Sequence, residues 1–139
     1  MRQQISLADL PFLTPGEVLS TFANGVEHFG LLTDRHLYGW PLSIASASKA
    51  LGFVTEELPL QFAPSGILFK HGYWSQQHRI ATVRIALSKL GQPYHLFEHN
   101  CEHFVRICQG LPAESPQLKG VLGVVVAAAV VCGLAKIAA

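Results

Sequence analysis

Charge is scarce in this 139-residue chain: 14% of it is Asp, Glu, Lys or Arg, while half is hydrophobic, and the formal net charge is +1. A near-neutral chain without a basic run has nothing to neutralise phosphates, so nucleic acid is not an expected partner. Cysteine is scarce too. Cys101, Cys108 and Cys132 are odd in number, all in the last third, and spaced like neither a disulfide framework nor a paired zinc knuckle. A reducing compartment is therefore expected. The opening stretch, "MRQQISLADLPFLTPGE", lacks the apolar core and small-residue cleavage site of a secretory signal.

What is present is one domain's worth of chain with an apolar tail. Residues 1–14 read as a short leader ending at the turn Thr14-Pro15-Gly16. Residues 17–22 and 26–33 read as strands joined by Asn24-Gly25, a strong hairpin turn. Residues 37–47 read as a third strand with an irregularity at Pro41, which makes an antiparallel meander. Residues 48–53 connect, and 67–73 form a short apolar piece of open type. In residues 75–90, Ile80, Val83, Ala86, Leu87 and Leu90 recur at helical spacing, and Gly91 and Pro93 stop the helix. A second helix is expected from near Asn100 to Cys108 or Gln109, ending at Gly110. The expected division is a leader (1–14), a main domain (15–111), a linker (112–119) and a hydrophobic tail (120–139). From Gly120 to Ala135 the tail carries no charge. As a helix, that stretch is roughly 24 Å long at about 1.5 Å per residue. Lys119 and Lys136 can snorkel at its ends, so a membrane anchor is expected, with a buried core helix as the alternative.

The chemistry concentrates in "HNCEHFV", residues 99–105. A thiol is nucleophilic as thiolate, and a helix N-terminus favours negative charge, so Cys101 behind the N-cap candidate Asn100 is placed as a nucleophile. Phe104, Val105 and Cys108 would seat the helix on the core. Cys108 and Cys132 read as inert packing or tail residues. A thiol also needs a base, and His28 stands out because it lies within an apolar strand between Val26 and Phe29. A core histidine bonded to backbone is the equal alternative. His99 and His103 read as orienting or surface groups, His36 as a turn residue, and His71, His78 and His95 as solvated rings. His95, His99, Cys101 and His103 are metal-ligand types, but no second cluster completes a site, so no metal or other cofactor is expected. The backbone N–H of Cys101 is the candidate oxyanion donor, and Tyr94 a candidate pocket residue.

These residues carry a resemblance. "PGE" at residues 15–17, "EHFGLLTD" at 27–34 and above all "ALSKLGQPYHLFEHNCEHFV" at 86–105 resemble the lecithin retinol acyltransferase-like family, which includes the H-Ras-like suppressor phospholipases and acyltransferases. The likeness runs from about Pro15 to Gly110. It implies an α+β, permuted papain-like fold, an antiparallel sheet packed on helices with the histidine strand ahead of the cysteine helix, followed by a C-terminal hydrophobic helix. It also implies a thiol acyltransferase or phospholipase without cofactor: Cys101 takes an acyl chain from a glycerophospholipid with His28 as base, and water, an amine or an alcohol receives it. The implied partner is a phospholipid bilayer, with the catalytic domain facing the cytoplasm. The family's second histidine, which orients the first, has no counterpart: Ala45 falls at its place within "SIAS", with Ser43 and Ser46 as neighbours. Ser46 is the substitute orienting residue, and His36 would serve only in a different hairpin register. A cysteine peptidase or amidase, or an impaired tail-anchored interaction module, remains open beside this reading.

Overall fold

The computed structural model describes residues 2–39, 42–97 and 101–112. Val18–Ala23 (β2) and Val26–Leu32 (β3) pair antiparallel from Val18↔Leu31 to Ala23↔Val26. The Asn24-Gly25 turn between them has φ of 52° and 78°, the left-handed pair that a tight hairpin with native twist requires. Ile44–Ser48 (β4) meets β3 only at Leu31↔Ala45 and Leu32↔Ile44, then pairs along its length with Phe53–Glu57 (β5). The meander is therefore present, with a third strand shorter than expected. Residues 37–39 form a turn in which Tyr38 has φ of 48°, and Trp40 and Pro41 lie outside the described residues.

The stretch expected to be a leader is part of the sheet. Gln3–Ser6 (β1) pairs with Ile67–Gly72 (β6), and β6 pairs in turn with β2, giving one antiparallel sheet in the order β1-β6-β2-β3-β4-β5. Burial explains the difference: Ile5 and Leu10 enter the core, and the 3-10 turn Leu7–Phe12 is bound by Asp9, which accepts from the Ser6 N–H at 2.8 Å. Among the described residues the helices are few: a single turn at Pro59–Phe62 (α1), Arg79–Ser88 (α2) and Cys101–Cys108 (α3). The architecture is α+β.

Strand alternation sorts the core onto two faces. Val18, Phe29, Leu31, Ala45, Ala47 and Val54 pack against Ala86 of α2 and against Cys101, Phe104, Val105 and Cys108 of α3. Leu19, Leu32, Ile44 and Leu68 pack on the other face with Ile5, Leu10, Phe62 and Ala63. Helix α3 is apolar along one side, as its spacing predicts, and Phe104, Val105 and Cys108 are fully buried. Truncating a buried phenylalanine of this kind costs about 3–5 kcal/mol. Helix α2 differs from expectation at Ile80, which is 53% exposed because it lies in the first turn, beside an open cleft rather than over the sheet.

Glutamines lock the end of α3. Gln109 Oε1 accepts from Trp74 N–H at 2.8 Å while its Nε2 donates to Val105 O, and Gln77 Nε2 donates to Cys108 O at 2.9 Å. Gly110, at φ of 74°, closes the helix where expected. No helix among the described residues is long and apolar enough to cross a membrane. The expected tail at 120–139, the linker beyond Pro112, and the positions of His99 and Asn100 lie outside the described residues.

Candidate active site

The sulfur of Cys101 sits at the opening of α3, against the part of β3 that β4 has left uncovered. Glu27 and Phe29 there turn backbone groups away from β2. Sγ accepts the Phe29 N–H at 3.0 Å, and its own proton points toward Glu27 O at 3.9 Å, a long contact. Those groups flank His28 in the chain, so the sulfur occupies the place where a paired strand would set a residue opposite His28.

The thiol is 6% exposed, and this corrects the expectation that its position makes it a thiolate. Burial raises its pKa from the ordinary 9.0. The N–H groups of Phe29, Cys101 and Glu102 pull it down, and the Glu102 charge pushes it further up. Desolvation outweighs the helix terminus, because a helix of eight residues presents only a few N–H groups while the sulfur has lost almost all of its water. Cys108 is buried in the core, as a packing residue would be, and burial pushes its thiol up to about 12.

His28 is half-buried, and its ring lies against Phe62 with centroids 5.0 Å apart. Burial lowers its pKa, so the ring is neutral at neutral pH, as a base must be. Alternation places it with Gly30 and Leu32 on the Phe62 face, opposite Phe29 and α3. No hydrogen bond among the described residues joins it to Cys101. The structure thus brings the sulfur to the backbone of the histidine's own segment and leaves the ring turned toward Phe62.

Ser46 is fully buried on β4, on the His28 side of the sheet, but its hydroxyl points to Glu57 Oε1 at 3.5 Å. Glu57 was not legible beforehand; burial raises its pKa, with the Ser46 bond opposing. Ser43 is committed elsewhere, donating to Glu56 at 2.6 Å beside Thr33. Ala45 faces α3 opposite Leu31. His36 is exposed beyond the end of β3, which removes it as an orienting residue.

Two histidines are not at the surface, where His71 was expected and where His103 was expected if not an orienting group. His103 is 7% exposed, because α3 turns it inward along with Glu102. His71, read as solvated, is bound within the sheet: Nε2 lies 2.7 Å from Ser20 Oγ and 3.6 Å from Glu27 Oε2, and the ring meets those of Phe29 and Trp74. Its partners come from β2 and β3, so only the long-range pairing of β6 with β2 reveals it. His78 caps α2 and His95 is exposed. Tyr94 packs against the buried cluster that contains Cys101; burial raises its pKa, and Cys101, once ionised, adds to that. No three His, Cys, Asp or Glu side chains among the described residues converge as a metal site.

The open cleft of about 510 Å³ lies away from this constellation, between Thr14, Pro15 and Asp34 and the first turns of α2. Cys101, His28 and Ser46 do not line it. Comparison with protein-family models, with curated proteins and with solved structures finds no match to this chain.

Proposed function

We propose that the chain is a thiol acyltransferase or phospholipase of the A type, with the helix and sheet arranged as in a permuted papain-like enzyme. The observation that carries it is the lodging of Cys101 Sγ between Phe29 N and Glu27 O, beside the backbone of His28. In this reading the His28 ring leaves Phe62, turns to the open strand edge and takes the thiol proton. Sγ then attacks an ester carbonyl of a glycerophospholipid, the C–O bond breaks, and the proton passes to the departing alcohol. The Cys101 N–H faces the developing oxyanion. Ser46, on the His28 side of the sheet, helps to set the ring. The hydrophobic segment 120–139 holds the enzyme at its substrate bilayer. Because the resting thiol is protonated, nucleophile formation belongs to the bound state, in which a catalytic hydrogen bond can tighten.

Intact-mass measurement after incubation with phosphatidylcholine vesicles tests the reading. An acyl adduct on Cys101 is expected, absent in Cys101→Ser; turnover unchanged in that variant removes the cysteine from the mechanism. A second reading, a catalytically impaired tail-anchored module, draws on the raised thiol pKa and on Ser46 pointing to Glu57. A wild-type chain that never acquires acyl mass favours it. A peptidase or amidase would spare lipid esters and cleave peptides in the same assay.

A further inference from the structure

Cys101 shares two residues of β3 with a second imidazole. The backbone of Glu27 and Phe29 holds the sulfur, while the side chains of the same two residues hold His71: the carboxylate stands 3.6 Å from Nε2, and the phenyl ring lies 5.1 Å from the imidazole, centroid to centroid. Ser20 joins them, with Oγ 2.7 Å from Glu27 Oε2 and 2.7 Å from His71 Nε2. A carboxylate accepts only, so the single hydroxyl proton of Ser20 goes to Glu27 and Oγ receives the Nε2–H of His71. That order fixes the tautomer and leaves the lone pair on Nδ1. The ring side chain is 12% exposed, on the α3 face from which Cys101 reaches the strand. His28 is on the other face.

We propose that His71 is the base that activates the acyl acceptor, with Ser20 and Glu27 as positioning residues. This rests on Cys101 carrying the acyl group. In the second half-reaction the oxygen or nitrogen of water, an alcohol or an amine bonds to the thioester carbonyl carbon while its proton moves to Nδ1. The C–S bond then breaks, the product carries off the acyl group, and the proton returns from His71 to the thiolate. The first proton has by then left with the lysolipid alcohol and both rings are neutral again; in this scheme the first step belongs to His28 and the second to His71, which lies on the α3 face with Cys101. Burial lowers the pKa of His71, the Glu27 charge raises it, and Arg2 and the amino terminus lower it; Glu102 of α3 is in turn coupled to Glu27.

The test follows acid-quenched intact mass over time with phosphatidylcholine vesicles, comparing wild type, His71→Gln and Ser20→Ala. In His71→Gln the adduct is expected to form at the wild-type rate and persist, with turnover reduced about 10²–10⁴-fold, the usual worth of a general base. Its deacylation also loses the pH dependence that in wild type weakens the rate as His71 protonates. Ser20→Ala, which keeps the ring but frees its tautomer, slows deacylation by about tenfold with acylation unchanged, and carries the test if the first variant does not fold. Clearance of the adduct at the wild-type rate in the folded variants overturns the role of His71 and leaves the thiol reading standing. Absence of an adduct on the wild-type chain overturns both.

Discussion

Cys101 shows how two physical effects compete at one atom. Three backbone N–H groups favour the thiolate, and nearly complete loss of water favours the thiol; the second wins. Alkylation by iodoacetamide is therefore expected to be slower for Cys101 than for free cysteine at neutral pH, and to keep rising beyond the ordinary thiol pKa of 9.0. Cys108 is expected to stay unmodified in the folded protein, since its thiol ionises only near 12. Peptide mapping across a pH series reads both rates. A Cys101 rate that levels off below about pH 8 would mean that a partner already holds the sulfur as thiolate. Cys101 as the candidate nucleophile was legible in the sequence, because a cysteine behind Asn100 and ahead of an apolar stripe marks a helix start. Its resting charge was not, because burial is set by β3 and β4, far away in the chain.

At the scale of elements, the β3–β4 contact decides how the site is built. Gly30 lets the strands and α1 close up: a Cβ there would lie 2.6 Å from Ile44 Cγ2, 2.9 Å from Phe62 Cε2 and 3.1 Å from Ala45 O. The Ala45 oxygen is backbone and cannot yield cheaply. Gly30→Ala is expected to destabilise the protein by about 1–3 kcal/mol, the range for overpacking, and to disturb the stacking of Phe62 on His28. Urea unfolding gives the first quantity, and the shift of the His28 ring protons in NMR the second; an unperturbed midpoint would show that the strands are less tightly apposed. The hairpin that carries His28 was readable from Asn24-Gly25 and from alternation. That β4 leaves β3 after two residue pairs was not, since no local rule says where a strand parts from its neighbour, and this parting opens the edge that receives the sulfur.

Across the whole molecule, the buried titrating groups define a pH range of stability. The folded-state pKa values of His28 and His71 lie below the ordinary 6.5, so both rings favour the folded state fully above that value and cease to do so as pH falls through it. Cys101 and Cys108 act in the opposite direction. Their pKa values are raised, so the stability they confer is present below 9.0 and is lost as pH climbs above it. Glu57 and Glu102, raised from 4.5, oppose the histidines and make the acid-side decline shallower, because protonation relieves the cost of burying their charges. The melting temperature is expected to be highest between about pH 6.5 and 9 and to decline on both sides. His28→Gln and His71→Gln should each flatten the acid side. A calorimetric profile falling steadily from pH 6 to pH 9 would contradict this assignment.

The sequence by itself determined the local features: the Asn24-Gly25 hairpin, the two main helices with their glycine stops, and Cys101 and His28 as the residues worth pairing. Each follows from the period of apolar side chains or from the backbone freedom of a few residues, which act over short stretches. Tertiary structure alone decided that residues 3–12 belong to the fold, that His71 meets Ser20 and Glu27, that His28 faces Phe62, and that the Cys101 thiol rests protonated. All four depend on which strands lie side by side and on how much water their packing expels, quantities fixed only when distant parts of the chain come together.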